Sequence, residues 1–194
     1  MKIILGSASP RRAQILKEMG YEFEVVKPDI DEKAVRDDDP QRLVLALANA
    51  KADAVLEQIR NEPALIITSD QVVSFENQIL EKPDSLQNAR SVLKSYGGNP
   101  VHTVTSSVVT NSATGQRYAG VDITTIRFKP FSDELLESII NDASVDILNR
   151  AGSFAIEHPK FAASTIRVDG ELESIMGLPK ALTQRLLNQA ASPE

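Results

Sequence analysis

The first twenty residues leave the chain little freedom. An apolar run from Lys2 to Leu5 is followed by Gly6-Ser7-Ala8, after which Ser9 is a good N-cap and Pro10 a good first helical residue. Ile15, Leu16 and Met19 form one face of the helix, and Gly20 closes it. A strand feeding directly into a capped helix is the opening of an α/β fold.

The remaining pattern supports that class and adds an antiparallel part. Tyr21, Phe23 and Val25 alternate with Glu22 and Glu24 as a half-buried strand. A long helix is expected from Asp39-Pro40 to about Arg60. Next comes a strand from Ala64 to Ser69, ending at Asp70 and extending through Val72 and Val73. Glu76-Asn77 turns the chain back, and Asp84 with Gln87 reads as a capping box for a helix closed by Gly97-Gly98. From Val101 to Lys129 the composition shifts to Val, Thr and Ile around a turn at Asn111 to Gly115, a β-hairpin. Ser132 caps a helix to about Asn141, and Phe154 to Glu157 and Thr165 to Val168 read as short strands. A last helix begins at Pro179. No repeat or linker interrupts residues 1–194, so they read as one domain.

Composition narrows the function. With no cysteine, thiolate metal sites and Cys nucleophiles are excluded, and two histidines make a multi-His zinc site a poor expectation. A net charge of −6 with 5% aromatics and no Trp argues against nucleic acid as a partner, though not against a nucleotide. There is no apolar run of the ~18 residues needed to span a bilayer and no signal-peptide pattern, so a cytoplasmic protein with no membrane partner is expected.

Several residues call for a chemical reason. Ser7, Ser9, Arg11 and Arg12 gather at a helix N-terminus, where unpaired N–H groups and the helix dipole favour phosphate. The same residues also describe an ordinary capped helix with two solvent-facing arginines. Projected at about 100° per residue from Leu43, Leu47 falls near 40° and Ala54 near 20°, with Lys51 near 80° inside that apolar arc. A buried ammonium needs a partner unless its stem snorkels out. Asp70 ends an apolar strand, where α/β folds place ligands; it could bind a cation, accept a proton from water or simply cap a turn. Asp29, Asp31 and Glu32 could ligate Mg²⁺ or form a solvated loop. Lys82 is held extended by Pro83, and His102 reads as structural.

Several separated segments stand in order along the chain: Leu5-Gly6-Ser7-Ala8-Ser9-Pro10-Arg11-Arg12, Asp31-Glu32-Lys33, Ala50-Lys51-Ala52 and Ser69-Asp70-Gln71-Val72-Val73. They continue with Glu81-Lys82-Pro83, Ala151-Gly152-Ser153-Phe154 and Met176-Gly177-Leu178-Pro179. Taken together, these segments resemble the Maf family of nucleoside triphosphate pyrophosphatases, also named septum formation inhibitors.

The resemblance implies an elongated fold like that of inosine triphosphate pyrophosphatases, with a mixed sheet, flanking helices and a cleft between two lobes. It also implies a homodimer that cleaves a triphosphate between the α and β phosphates with Mg²⁺ or Mn²⁺. Asp70 matches the general base, and Ser7, Arg12, Lys51 and Lys82 match phosphate-binding positions. Glu32, with Asp70, matches the metal-binding position, and Arg11, Gln71 and Glu157 match those associated with base selectivity. Gln71 and Glu157 stand where many members have Thr and Gln, and resemble the branch acting on 7-methylguanosine triphosphate. That branch tends to place an aromatic residue before the arginines, whereas here Arg11 follows Pro10 directly. Asn149-Arg150 stands where many members have Asp-Lys. The rival expectation is a cell-division regulator that binds a nucleotide without turnover.

Overall fold

The computed structural model describes residues 1–60 and 62–191. In chain order the elements are β1 (Lys2–Leu5), α1 (Pro10–Glu18), β2 (Glu24–Val25), α2 (Pro40–Ile59), β3 (Ala64–Thr68), β4 (Gln71–Phe75) and β5 (Gln78–Leu80). They continue with α3 (Leu86–Tyr96), β6 (Pro100–Asn111), β7 (Arg117–Phe128), α4 (Asp133–Ile140), α5 (Pro159–Ser164), β8 (Thr165–Asp169), α6 (Leu172–Ile175) and α7 (Lys180–Ala191). The fold is mixed α/β, with parallel and antiparallel pairings. No helix among the described residues is long and apolar enough to cross a membrane.

The chain forms two compact units. The first comprises Met1–Gln71, Val104–Asp122 and the chain from Glu173 on; the second comprises Val72–Thr103 and Ile123–Leu172. In the first unit the strand order is β2-β1-β3-β6. β1 lies parallel to both neighbours, and β3 pairs antiparallel with β6, Ile67 opposite Val109. β3 is buried along its whole length, as its continuous apolar run requires. One side of the core packs Leu5, Leu16, Leu65 and Ile67 with Leu182, Leu186 and Leu187 of α7. Another joins Ile4 and Ile66 to Val55 of α2.

The second unit centres on aromatic rings. Tyr96 of α3 contacts Phe75, Phe128 and Phe154, and Phe128 also meets Phe131 and Phe161. β4 turns into β5 through Glu76 and Asn77, both at positive φ (50° and 62°), the geometry that two-residue hairpins require. β8 pairs antiparallel with β7.

Four local expectations differ from the structure. The strand at Tyr21 to Val25 shrinks to Glu24–Val25, both exposed, because Tyr21 and Phe23 pack on the core without joining the ladder. Strands β3 and β4 are separate, broken at Ser69 and Asp70. Ser85 caps α3 in place of Asp84, accepting from the Asn88 N–H at 3.1 Å. Phe154 to Glu157 is not a strand. Phe154, Ala155 and Ile156 are buried, and the chain then turns into α5 through the His158 N–H and the Ala155 carbonyl.

Candidate functional site

α1 begins as the sequence dictates, with the Ser9 hydroxyl accepting from the Arg12 N–H and Pro10 at the first position. Gly6 is needed for the approach, since a Cβ there would stand 2.6 Å from the Thr68 methyl. Ser7 is buried beneath the helix start. Its hydroxyl accepts from the Ser9 N–H at 3.1 Å and from Arg12 Nη1 at 3.3 Å. Arg12 is steered further by Nε, which donates to the Gly177 carbonyl at 2.8 Å. The Ser69 hydroxyl donates to the same carbonyl, also at 2.8 Å.

Lys51 is buried on the apolar face of α2 and does not snorkel to solvent. Its ammonium lies 2.5 Å from Asp70 Oδ1 and 2.8 Å from Glu32 Oε1. The side chains of Lys51 and Asp70 are 8% and 11% exposed, and that of Glu32 is 60% exposed. Two hydroxyls set this register. Thr68 Oγ1 donates to the Ala48 carbonyl and Ser106 Oγ to the Val44 carbonyl, each at 2.8 Å, so successive turns of α2 are tied to the sheet. Ser106 also holds the Asp70 backbone: its N–H donates to the Asp70 carbonyl at 2.9 Å, and its hydroxyl accepts from the Asp70 N–H at 3.1 Å.

These contacts shape the charge states. Burial raises the Asp70 pKa above the ordinary aspartate value, and the charges of Lys51 and Arg12 oppose the rise. Burial lowers the Arg12 pKa, with Asp70 and Glu32 pulling it back. A cavity of about 220 Å³ is lined by Gly6 to Ser9, Arg12, Lys27, Pro28, Glu32 and Lys51. Asp70 does not line it and is reached through the Lys51 ammonium, which does.

Five candidates therefore converge in the first unit: Ser7, Arg12, Glu32, Lys51 and Asp70. Gln71 belongs to the same unit, and its amide donates to the carbonyls of Ser174 (3.0 Å) and Ile175 (2.7 Å). Because both partners are acceptors, the orientation of the amide is fixed. Arg11 is exposed on α1. Asp31 caps a short 3₁₀ turn by accepting from the Lys33 N–H, and Asp29 is exposed. Among the described residues no group of three or more His, Cys, Asp or Glu could hold a metal. Asp70 and Glu32 still suit a hard divalent cation, because Mg²⁺ is usually held by one or two carboxylates, with substrate phosphates and water completing its shell.

Lys82 and Glu157 lie in the second unit, both exposed. The Gly152 N–H donates to the Glu81 carbonyl at 3.3 Å, joining the Glu81-Lys82-Pro83 motif to the Ala151-Gly152-Ser153-Phe154 motif. Glu157 is paired with Arg150 at 2.9 Å. His102 Nδ1 lies 2.9 Å from the Thr125 hydroxyl.

One cluster in this unit has the composition of a hydrolytic triad but the wrong polarity. The Ser144 hydroxyl lies 2.5 Å from Asp142 and 3.3 Å from His158 Nε2. His158 Nδ1 accepts from the Lys160 N–H, so the neutral ring carries its proton on Nε2 and cannot take one from Ser144. Sequence reasoning missed Lys27, Thr68 and Ser106, and quoted Ser69 and the Gly177 segment as parts of the family resemblance, without a role for either. Polar residues inside strands were the available signal for Thr68 and Ser106; nothing in the sequence singled out Lys27.

The sequence as a whole has clear relatives. A protein of Dictyostelium discoideum named 7-methyl-GTP pyrophosphatase is 43% identical over 97% of both chains. One of Idiomarina loihiensis with the same name is 34% identical, covering 100% of this chain and 97% of its own. A protein of Vibrio parahaemolyticus named dTTP/UTP pyrophosphatase is 31% identical over 97% of both. The profile of the family described as Maf-like protein matches residues 2–190, and the chain belongs to that family.

Proposed function

We propose that this protein is a nucleoside triphosphate pyrophosphatase that releases a nucleoside monophosphate and pyrophosphate, with 7-methyl-GTP as the substrate type. The observation that carries the reaction is the buried Lys51 ammonium shared by Asp70 and Glu32 beside a cavity lined by Ser7, Arg12 and the start of α1. An ammonium has three protons, and the carboxylates use two of them. A phosphate oxygen entering the cavity can take the third, and its charge draws the ammonium away from Asp70 Oδ1, which is then free to accept a proton from attacking water. Arg12, aimed by the Gly177 carbonyl, stabilises charge that grows on the phosphoryl oxygens. Asp70 and Glu32 would hold Mg²⁺ or Mn²⁺, which when bound supplies charge neutralisation at the phosphates.

Lys82 as a phosphate ligand and Arg11, Gln71 and Glu157 as base-reading residues enter on the family resemblance, supported for the base by the relatives named for 7-methyl-GTP. One working domain over residues 1–194 with two lobes around one cleft, a homodimer, a cytoplasmic location and no nucleic-acid partner belong to the same proposal. Relatives named for hydrolysis weigh against a regulator without turnover.

Pyrophosphate release across a panel of triphosphates, wild type against Asp70→Asn, tests the reading. Release by the wild type and a loss of at least about 100-fold in the variant are expected, the scale of a missing general base. An Asp70→Asn protein as active as wild type would remove Asp70 from the chemistry.

A further inference from the structure

Glu157 is ion-paired with Arg150. Arg150 Nη1 donates to Glu157 Oε1 at 2.9 Å, while Arg150 Nε donates to the Val145 carbonyl at 2.6 Å. The arginine backbone is fixed as well: its N–H donates to the Ile147 carbonyl, and its carbonyl accepts from the Ser153 N–H. The Arg150 side chain is 13% exposed and that of Glu157 36%, so the cation is anchored while the carboxylate stays within reach of a ligand. The guanidinium offers only donors in a fixed fork, so what it presents to Glu157 is a cation held in one direction.

A free carboxylate can read two features of a methylated guanine. One is the pair of donors at N1–H and the exocyclic amine; the other is the positive charge that 7-methylation places on the ring. Ion pairing preserves carboxylate acceptors for the first and cancels most of the field that would read the second. We infer that Arg150 is a specificity-determining residue: it holds Glu157 as a hydrogen-bond acceptor and masks its charge, so that the base edge counts for more than ring charge. The inference rests on the proposal that Glu157 meets the base.

The test compares kcat/KM for 7-methyl-GTP, GTP and UTP over a salt series, in wild type, Arg150→Gln, Arg150→Lys and Glu157→Gln. In the wild type the ratio of 7-methyl-GTP to GTP should change by less than about twofold with salt, because a neutral pair has little to screen. Arg150→Gln should raise that ratio at least about fivefold at low salt, and added salt should erase the gain. Arg150→Lys keeps the charge and should keep the wild-type ratio. A folded Arg150→Gln protein with an unchanged ratio overturns the inference, as does a steeply salt-dependent ratio in the wild type. The wild-type series decides alone if Arg150→Gln does not fold. An unaltered guanine-to-uracil ratio in Glu157→Gln overturns the premise and the inference together. Absence of pyrophosphate release from every triphosphate overturns the functional proposal itself.

Discussion

The Lys51 ammonium and the Asp70 carboxylate lie 2.5 Å apart, both nearly shut off from solvent. Burial makes each charge costly without a counter-charge beside it. The cost of removing one partner of such a pair exceeds the net worth of the contact, because the partner left behind is buried and unpaired. Glu32, far more exposed, completes the arrangement from the other side of the ammonium.

Lys51→Met should therefore destabilise the protein, by about 3–5 kcal/mol, even though the replacement matches the volume of the stem. The double variant Lys51→Met with Asp70→Asn should recover a good part of that loss, since no charge is stranded. Thermal or urea unfolding of the three proteins settles the matter. Equal stability of Lys51→Met and wild type would show that the pair is not coupled.

The same pair fixes how Asp70 titrates. Burial raises its folded pKa while Lys51 and Arg12 hold it down. In the metal-free protein its carboxyl signal, followed by NMR, should titrate above the ordinary aspartate range. A carboxyl with a raised folded pKa contributes stability below its unfolded value and loses that contribution as pH rises through the folded one. Lys51→Met, where folded, should move the midpoint further up. A midpoint at or below that of an exposed aspartate would contradict the balance of causes.

Much of this was legible in the sequence, for identifiable reasons. Ser9-Pro10, Asp39-Pro40 and Ser132 are strong local signals, and the three helices start where these residues put them. Lys51 was visible as a cation on an apolar arc. Its partners were not, because Glu32 and Asp70 meet it only once α2 has docked on β3. Phe154, Ala155 and Ile156 misled the reading, since a short buried apolar run looks the same whether it joins a ladder or packs into a ring cluster. The role of Gly177 was also hidden, because a carbonyl has no sequence signature.

Gly177 should tolerate no side chain. It sits at φ +105°, and a Cβ there would stand 3.1 Å from Arg12 Nε, the atom that donates to its own carbonyl. Gly177→Ala should lower turnover at least about 10-fold by displacing the guanidinium, about 1.4 kcal/mol of transition-state stabilisation. Steady-state kinetics on the folded variant check this. Full turnover would show that Arg12 does not depend on that carbonyl for its aim.

Tyr96 offers a test confined to the second unit. Its hydroxyl donates to the Gly152 carbonyl at 2.6 Å inside the aromatic core. Tyr96→Phe keeps the ring contacts and strands the buried carbonyl, which should cost about 1–3 kcal/mol. The melting temperature should fall accordingly. An unchanged melting temperature would mean that the carbonyl finds another donor.

Gln71 yields the most selective prediction, because one atom type decides it. Its amide nitrogen donates to two backbone carbonyls, those of Ser174 and Ile175, and Ser174 also receives the Thr105 hydroxyl at 2.9 Å. Gln71→Glu is nearly isosteric but turns the donor into a third oxygen facing two others. The ionised carboxylate is repelled there, whereas the protonated acid can still give one hydrogen bond. The folded pKa of the introduced acid should lie above its unfolded value. Its stabilising contribution is then complete at pH values below the unfolded pKa, about 4.3, and lost as pH rises through the folded one. Relative to wild type, Gln71→Glu should be close in stability near pH 4 and clearly less stable at pH 8. Unfolding curves at the two pH values measure the difference. A constant gap would mean that the introduced side chain turns away from the carbonyls and that the amide contacts do not fix residue 71.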